Sequence, residues 1–234
     1  MRLAIGNRTG RAAWLKAIAV SMIVVFAGAL HAADKSAAPA PVIDNDRVVV
    51  WNLHLNKGEA GPYTPKDLDT VVVFLKGGSI RSESSDGHVH LEKRRAGDAV
   101  WVPKGSPLRD TPTSEEPVDE VVISLKDTPV EPLVNSSGLP LAFPRPGSKQ
   151  VLENARVIVW QYSWVSGRPT PMHFHDKDAV VAFREEGTLQ SVSPTGERTA
   201  NTAHPGEIRF NPRNRSHSEQ LISGRQSAVA VELK

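Results

Sequence analysis

From residue 47 onward the chain is written in short apolar runs broken by turn residues. "RVVVW" (47–51), "TVVVF" (70–74) and "VVISL" (121–125) occupy the first half, and "RVIVW" (156–160), "AVVAF" (179–183) and "AVAVEL" (228–233) the second. Each run is rich in Val, Ile or aromatic residues and spans strand length, and Gly, Pro, Asn and Asp gather in the segments between the runs. More polar segments hinge at "SSDG" (84–87) and "SPTG" (193–196), which read as hairpin turns. Long amphipathic helical periods are few, and 18 prolines and 17 glycines punctuate the chain. Many short strands at this spacing predict closed or two-sheet antiparallel barrels.

The runs recur at one offset. Arg47 and Arg156 are 109 residues apart, and the same offset matches Trp51 with Trp160, Gly58 with Gly167, Asp69 with Asp178 and Phe74 with Phe183. Gly78, Gly87, Gly97 and Pro103 fall on Gly187, Gly196, Gly206 and Pro212 in turn. Glycines, prolines and tryptophans seldom coincide at one spacing by chance, so the chain reads as two homologous modules. Residues 47–128 form the first and residues 150–234 the second, joined by a Pro-rich linker at 129–149. The register slips by one near the end of each module.

The beginning of the chain has a different pattern. Arg2, Arg8, Arg11 and Lys16 precede an uncharged apolar stretch from Ala17 to Leu30, and small residues follow. This is the order of a signal peptide, expected at residues 1–32, with an Ala/Pro tether at 33–46. The stretch is short for a membrane span, so no stable membrane association is expected after cleavage. The product is expected to be periplasmic or secreted. Its loss changes the charge: four basic residues go with residues 1–32, leaving 24 basic against 26 acidic residues, net −2. No basic patch then argues for nucleic acid as a partner. Cysteine is absent, so the fold relies on its core or on a metal.

These residues resemble the cupin superfamily over nearly the whole chain beyond residue 47. The family's first motif runs from a glycine through His-x-His and a glutamate to a second glycine; here that is Gly167, His173, His175 and Gly187, with Ala179 in the glutamate's place. The second motif runs from Gly206 through Pro212 to a third histidine, His217, with Asn214 where the family has glycine. Asn enters left-handed turns more readily than most residues, so that exchange is mild. The resemblance implies an all-β fold of two tandem jelly-roll barrels, a bicupin.

Side chains alternate along a strand, so His173 and His175 share a face, and a barrel can bring His217 opposite them from a separate strand. Three imidazoles with open positions suit a catalytic metal centre. The donors are compatible with Fe, Zn, Cu, Ni or Co. The resemblance, which includes dioxygenases with three histidines on iron, places Fe first and leaves Zn, Mn, Ni, Cu and Co open. With Ala179 in place of glutamate, a metal held by three neutral ligands keeps its charge for an anionic substrate. Glu219 is a candidate catalytic group: on a continuing strand it faces the same side as His217, whereas a turn at "NRSHSEQ" would send it to solvent. Arg209, Arg213 and Arg215 lie near the third histidine, and Arg209 is the candidate to attract an anion. Tyr162 and Trp164 are candidate pocket walls.

The first module has Thr64, Lys66 and Leu108 at the positions of the three histidines, so no metal is expected there. His88 and His90 fall after the "SSDG" turn and read as an exposed hairpin, and His54 and His204 as surface residues. Two functions remain open. One is a metal-dependent, dioxygenase-like enzyme acting on a small anionic organic molecule. The other is a non-catalytic cupin that binds a metal or small ligand, or is structural. A homodimer is an open assembly for either.

Overall fold

The structure is a computed structural model that describes residues 39–234. The signal peptide expected at 1–32 and the first part of the tether lie outside the described residues. Among the described residues there is no helix, and so none long and apolar enough to cross a membrane.

Eight strands come first: β1 (Ile43–Asp44), β2 (Val48–Leu55), β3 (Asp69–Lys76), β4 (Ser79–Ser84), β5 (Val89–Lys93), β6 (Ala99–Val102), β7 (Leu108–Pro112) and β8 (Val118–Leu125). They form a five-stranded sheet in the order β1-β2-β8-β3-β6 and a three-stranded sheet in the order β5-β4-β7. Nine more follow: β9 (Lys149–Glu153), β10 (Val157–Trp164), β11 (His173–His175), β12 (Asp178–Phe183), β13 (Gly187–Val192), β14 (Arg198–Ala203), β15 (Ile208–Asn211), β16 (Arg215–Gly224) and β17 (Gln226–Leu233). Their five-stranded sheet runs β9-β10-β17-β12-β15, the same pairing order as the first. The smaller sheet, β14-β13-β16, gains β11 at its edge. Strand β1 lies inside the segment expected to be a flexible tether. Ile43 and Asp44 pair with Val50 and Val49, and Asn45 Oδ1 accepts the backbone N–H groups of Arg47 and Val48 to turn the chain back. Asn154 does the same ahead of β10.

The central strands are buried on both faces, which is why their sequences are nearly unbroken apolar runs. One set of side chains fills each barrel. Leu53, Phe74, Ile80 and Val122 do so in the first, and Trp160, Val181, Phe183 and Leu221 in the second. The alternate set packs sheet against sheet between the barrels: Val50, Val71, Ile123, Val159, Val180 and Val231 belong to one shared core. Burying it contributes about 25 cal/mol per Å² of apolar surface.

Polar contacts frame this shared core in reciprocal pairs. Arg156 Nη1 lies 3.0 Å from Asp69 Oδ2, and Arg47 Nη1 lies 3.5 Å from Asp178 Oδ2. Gln161 donates to the carbonyl of Gly97 at 2.8 Å, and Asn52 to that of Gly206 at 3.1 Å. Asp69 and Asp178 also accept the backbone N–H groups of Lys104 and Arg213. These aspartates join the barrels and take no part in the histidine cluster.

Candidate metal centre

Strand β11 is three residues long and holds its place through both neighbours. On one side it pairs with β16 in the register His173↔His217, Phe174↔Ser216 and His175↔Arg215. On the other, Phe174 N–H donates to Pro140 O, and Ala142 N–H to Phe174 O, so the linker lies along its free edge. The third histidine is therefore a neighbour across one ladder, rather than opposite across the barrel. The turn leading into β16 depends on Asn214. Its φ is +63°, a left-handed conformation that fits the glycine-like position, and its N–H donates to His175 O at 2.8 Å.

The three rings converge. His175 Nε2 lies 3.2 Å from Nε2 of His173 and 3.2 Å from Nε2 of His217. The donor nitrogens all lie within 4.8 Å of one another, the one such group of metal-binding side chains among the described residues. His173 Nδ1 is 2.8 Å from Pro171 O, where it donates its proton and leaves Nε2 as an acceptor facing the cluster. Burial lowers the pKa of all three: His175 falls to about 2 and His217 to about 4, with the nearby Arg215 contributing to each. The rings are therefore neutral near pH 7, the form that ligates metal. Imidazole–metal bonds of about 2.0–2.1 Å at near-right angles separate donor atoms by about 3 Å, so the cluster fits a divalent transition metal.

Strand β16 continues unbroken past the histidine, and Glu219 points inward on the same face. Its backbone is pinned by Thr170, which donates N–H to Glu219 O and accepts Glu219 N–H at its hydroxyl, both at 2.8 Å. Glu219 Oε1 lies 3.6 Å from His217 Nε2, while Oε2 accepts the Trp164 indole N–H at 3.0 Å and faces Arg145 at 3.5 Å. Burial pushes this carboxyl up, but Arg145, His217, His173 and the Trp164 indole outweigh it and hold it below the usual range.

The cavity beside the cluster is small, about 50 Å³. Tyr162, Trp164 and Phe183 wall it, and Ala179, Ala228 and Ala230 floor it. Glu232, directly across from Ala179 on β17, also faces in and accepts the Trp160 indole N–H at 2.8 Å. The arginines sort differently from expectation. Arg209 pairs with Glu207 and donates to Thr202 O, and Arg213 reaches Glu131 O, so neither serves the cavity. Arg215 does: it lines the space, and among the described residues no carboxylate pairs with it. It sits two residues before His217 on the same face, so strand alternation was the available signal.

Arg145 comes from the linker and had no motif to announce it. Its guanidinium lies 3.8 Å from the Tyr162 ring centroid and 4.7 Å from that of Phe143, which itself stacks on Trp160 at 5.3 Å. Elsewhere, His54 pairs with Asp119, His204 with Glu186 and His88 with Asp86, all on the surface. Thr64 is buried against Leu108, while Lys66 is exposed.

No protein-family model matches the chain, and no curated protein matches it. Solved structures do. A cupin 2 conserved barrel domain protein from Leptotrichia buccalis is 13% identical with a TM-score of 0.52, over 83% of this chain and 87% of that one. Oxalate decarboxylase from Bacillus subtilis, in its structure at pH 4.6, is 11% identical with a TM-score of 0.57, over 80% of this chain and 68% of that one. These likenesses show the fold: the chain is two tandem cupin barrels.

Proposed function

We propose that the second barrel is the working one, a divalent-metal centre on His173, His175 and His217 that transforms a small anionic organic molecule. The observation that carries this reading is the convergence of three neutral imidazoles beside Arg215, a cation without a carboxylate partner among the described residues. Bacillus subtilis oxalate decarboxylase, similar in fold, has Mn(II) centres and acts on a small dicarboxylate. That similarity supports the substrate class without fixing the metal, and we place iron first. A bound metal would supply Lewis acidity or a site for oxygen.

The chain's own residues do the rest. Arg215 neutralises and orients the substrate's carboxylate through its fixed fork of donors. Glu219 is ionised near neutral pH, and its free oxygen faces His217 Nε2, so it can accept a proton from substrate or water at the centre. Arg145 and Trp164 hold it in that position. Tyr162, Trp164 and Phe183 keep bulk water out, which strengthens each charge interaction inside. The space of about 50 Å³ excludes large substrates.

Metal analysis of purified protein, followed by oxygen uptake and product assays over small mono- and dicarboxylates, tests this reading. Near-stoichiometric metal and turnover of one such acid, with KM raised in Arg215→Gln, is the expected result. Metal-loaded protein inert across the panel would favour a binding cupin. We further propose that residues 1–32 direct export to the periplasm or beyond; N-terminal sequencing of protein from the natural compartment checks this.

A further inference from the structure

The first barrel has no histidine cluster, but its interior is not simply apolar. Ser82 on β4, Asp110 on β7 and Glu120 on β8 face a cavity of about 100 Å³. The hydroxyl of Ser82 donates to Asp110 Oδ1 from the directly opposed strand position. Glu120 is only 3% exposed, and its Oε1 is buried with no hydrogen-bond partner. A buried carboxyl oxygen without a donor is costly, and a strand that alternates Val118, Glu120 and Val122 into the barrel places it there without need from packing.

Two cations line the cavity, Arg94 and Arg109, and each is already paired with a glutamate, although Arg94 still acts on the two carboxyls through space. Arg94 pairs with Glu92 and lies over the Phe74 ring, and Arg109 pairs with Glu83 at 3.1 Å. Among the described residues no lysine, arginine or histidine makes an ion pair with Asp110 or Glu120. Burial first, and then the neighbouring Asp110, push the Glu120 carboxyl up to about 8; burial raises Asp110 too. The pair therefore keeps a proton in a place where a cation could sit. Leu53, Val72, Val102 and Val122 form an apolar wall, and His90, Glu92, Arg94 and Arg109 also line the cavity.

We propose that this cavity binds a small primary ammonium, with Glu120, Asp110 and Ser82 accepting its N–H groups and the apolar wall covering its alkyl portion. A primary ammonium has three donors and no acceptor, which matches the oxygens of Glu120, Asp110 and Ser82 beside the valine and leucine wall. The volume corresponds to about three water molecules, room for a two-carbon amine. A metal ion is the less suitable occupant, because no third His, Cys, Asp or Glu joins the two carboxyls within ligand spacing.

The test is calorimetric titration and thermal shift of the full chain with ethylammonium chloride, against tetramethylammonium chloride at equal ionic strength. The expected result is saturable binding of ethylammonium alone, weakened about tenfold or more in Glu120→Gln and less in Ser82→Ala. Circular dichroism checks that both variants fold, and Ser82→Ala keeps the test open should Glu120→Gln not fold. No binding up to about 50 mM, which corresponds to a free energy too small for a built site, would overturn the proposal. So would an equal response to tetramethylammonium, unchanged binding in the variants, or saturable Ca²⁺ or Mg²⁺ binding that Glu120→Gln abolishes while ethylammonium gives none.

Discussion

The two barrels share a strand order and part of their apolar filling, Phe74 with Phe183 and Val72 with Val181, and differ most in the polar groups they point inward. Thr64, Lys66 and Leu108 stand in the first where His173, His175 and His217 stand in the second. One polar feature survives in both: an inward carboxylate two residues after the third position, Asp110 in one and Glu219 in the other. The faces that meet between the barrels are alike, since both carry valine at alternate positions and the same arginine–aspartate exchange. Two constraints are thus separated onto opposite faces of the same strands. The outward face is held by mutual packing, so it tolerates little. The inward face of each barrel answers only to its own cavity, so its chemistry can diverge while the fold stays the same.

The largest test of that division exchanges the third position. His217→Leu should lower bound metal at least about tenfold by elemental analysis, because two imidazoles remain of a three-ligand site. The reverse exchange, Leu108→His, should add no metal, since Thr64 and Lys66 supply no partner ligands. Next is the shared face. Ile123→Ala should cost about 2–5 kcal/mol in urea denaturation, the range for a fully buried isoleucine, and both barrels should still unfold in one transition because they share that core. A first-barrel substitution that left the second barrel's unfolding untouched would break this picture.

Glu219→Gln should keep the shape of the second cavity and weaken metal affinity about 10–100-fold, the usual effect of losing a supporting group beside the ligands. Competition with a chelator measures it. The two interiors should also titrate in opposite directions in metal-free protein. The unfolded histidine pKa is near 6.5, and the folded values are about 4 for His217 and about 2 for His175. The unfolded chain therefore takes up protons first as pH falls, and stability is lost progressively below about 6.5. Glu120 works the other way. Its folded value near 8 exceeds the unfolded 4.5, so its contribution is full below about 4.5 and is lost as pH rises toward 8. Urea midpoints across pH check both limbs, and Glu120→Gln should flatten only the alkaline one. The smallest effect is Gln161→Ala, which removes one hydrogen bond to Gly97 O and should cost about 0.5–1.5 kcal/mol.

Local sequence carried a good deal of this. The apolar runs fell on strands, Asn214 took the left-handed turn its position requires, and the His-x-His alternation brought both rings to one side. Glu219 was legible only as an alternative, because the same residues could turn outward; an uninterrupted β16 and the Thr170 contacts turned it in. Arg209 was the wrong arginine to favour. Glu207 lies two residues before it, on the same side of the strand, and takes its charge. Arg145 and Phe143 could not be found from any motif, since they come from a linker whose course is set by pairing with Phe174.

By itself, then, the sequence determined the alternation: which residues lie in strands, which histidines share a face, and where turns must reverse the chain. Those are properties of a few neighbouring residues and of backbone geometry. The tertiary structure alone decided which of two buried faces meets the other barrel. It also decided which arginine is left without a partner, and which carboxyls are enclosed with an unbonded oxygen. These depend on groups tens of residues apart in the chain, brought together only when sheet packs on sheet, and burial then sets the charge of each.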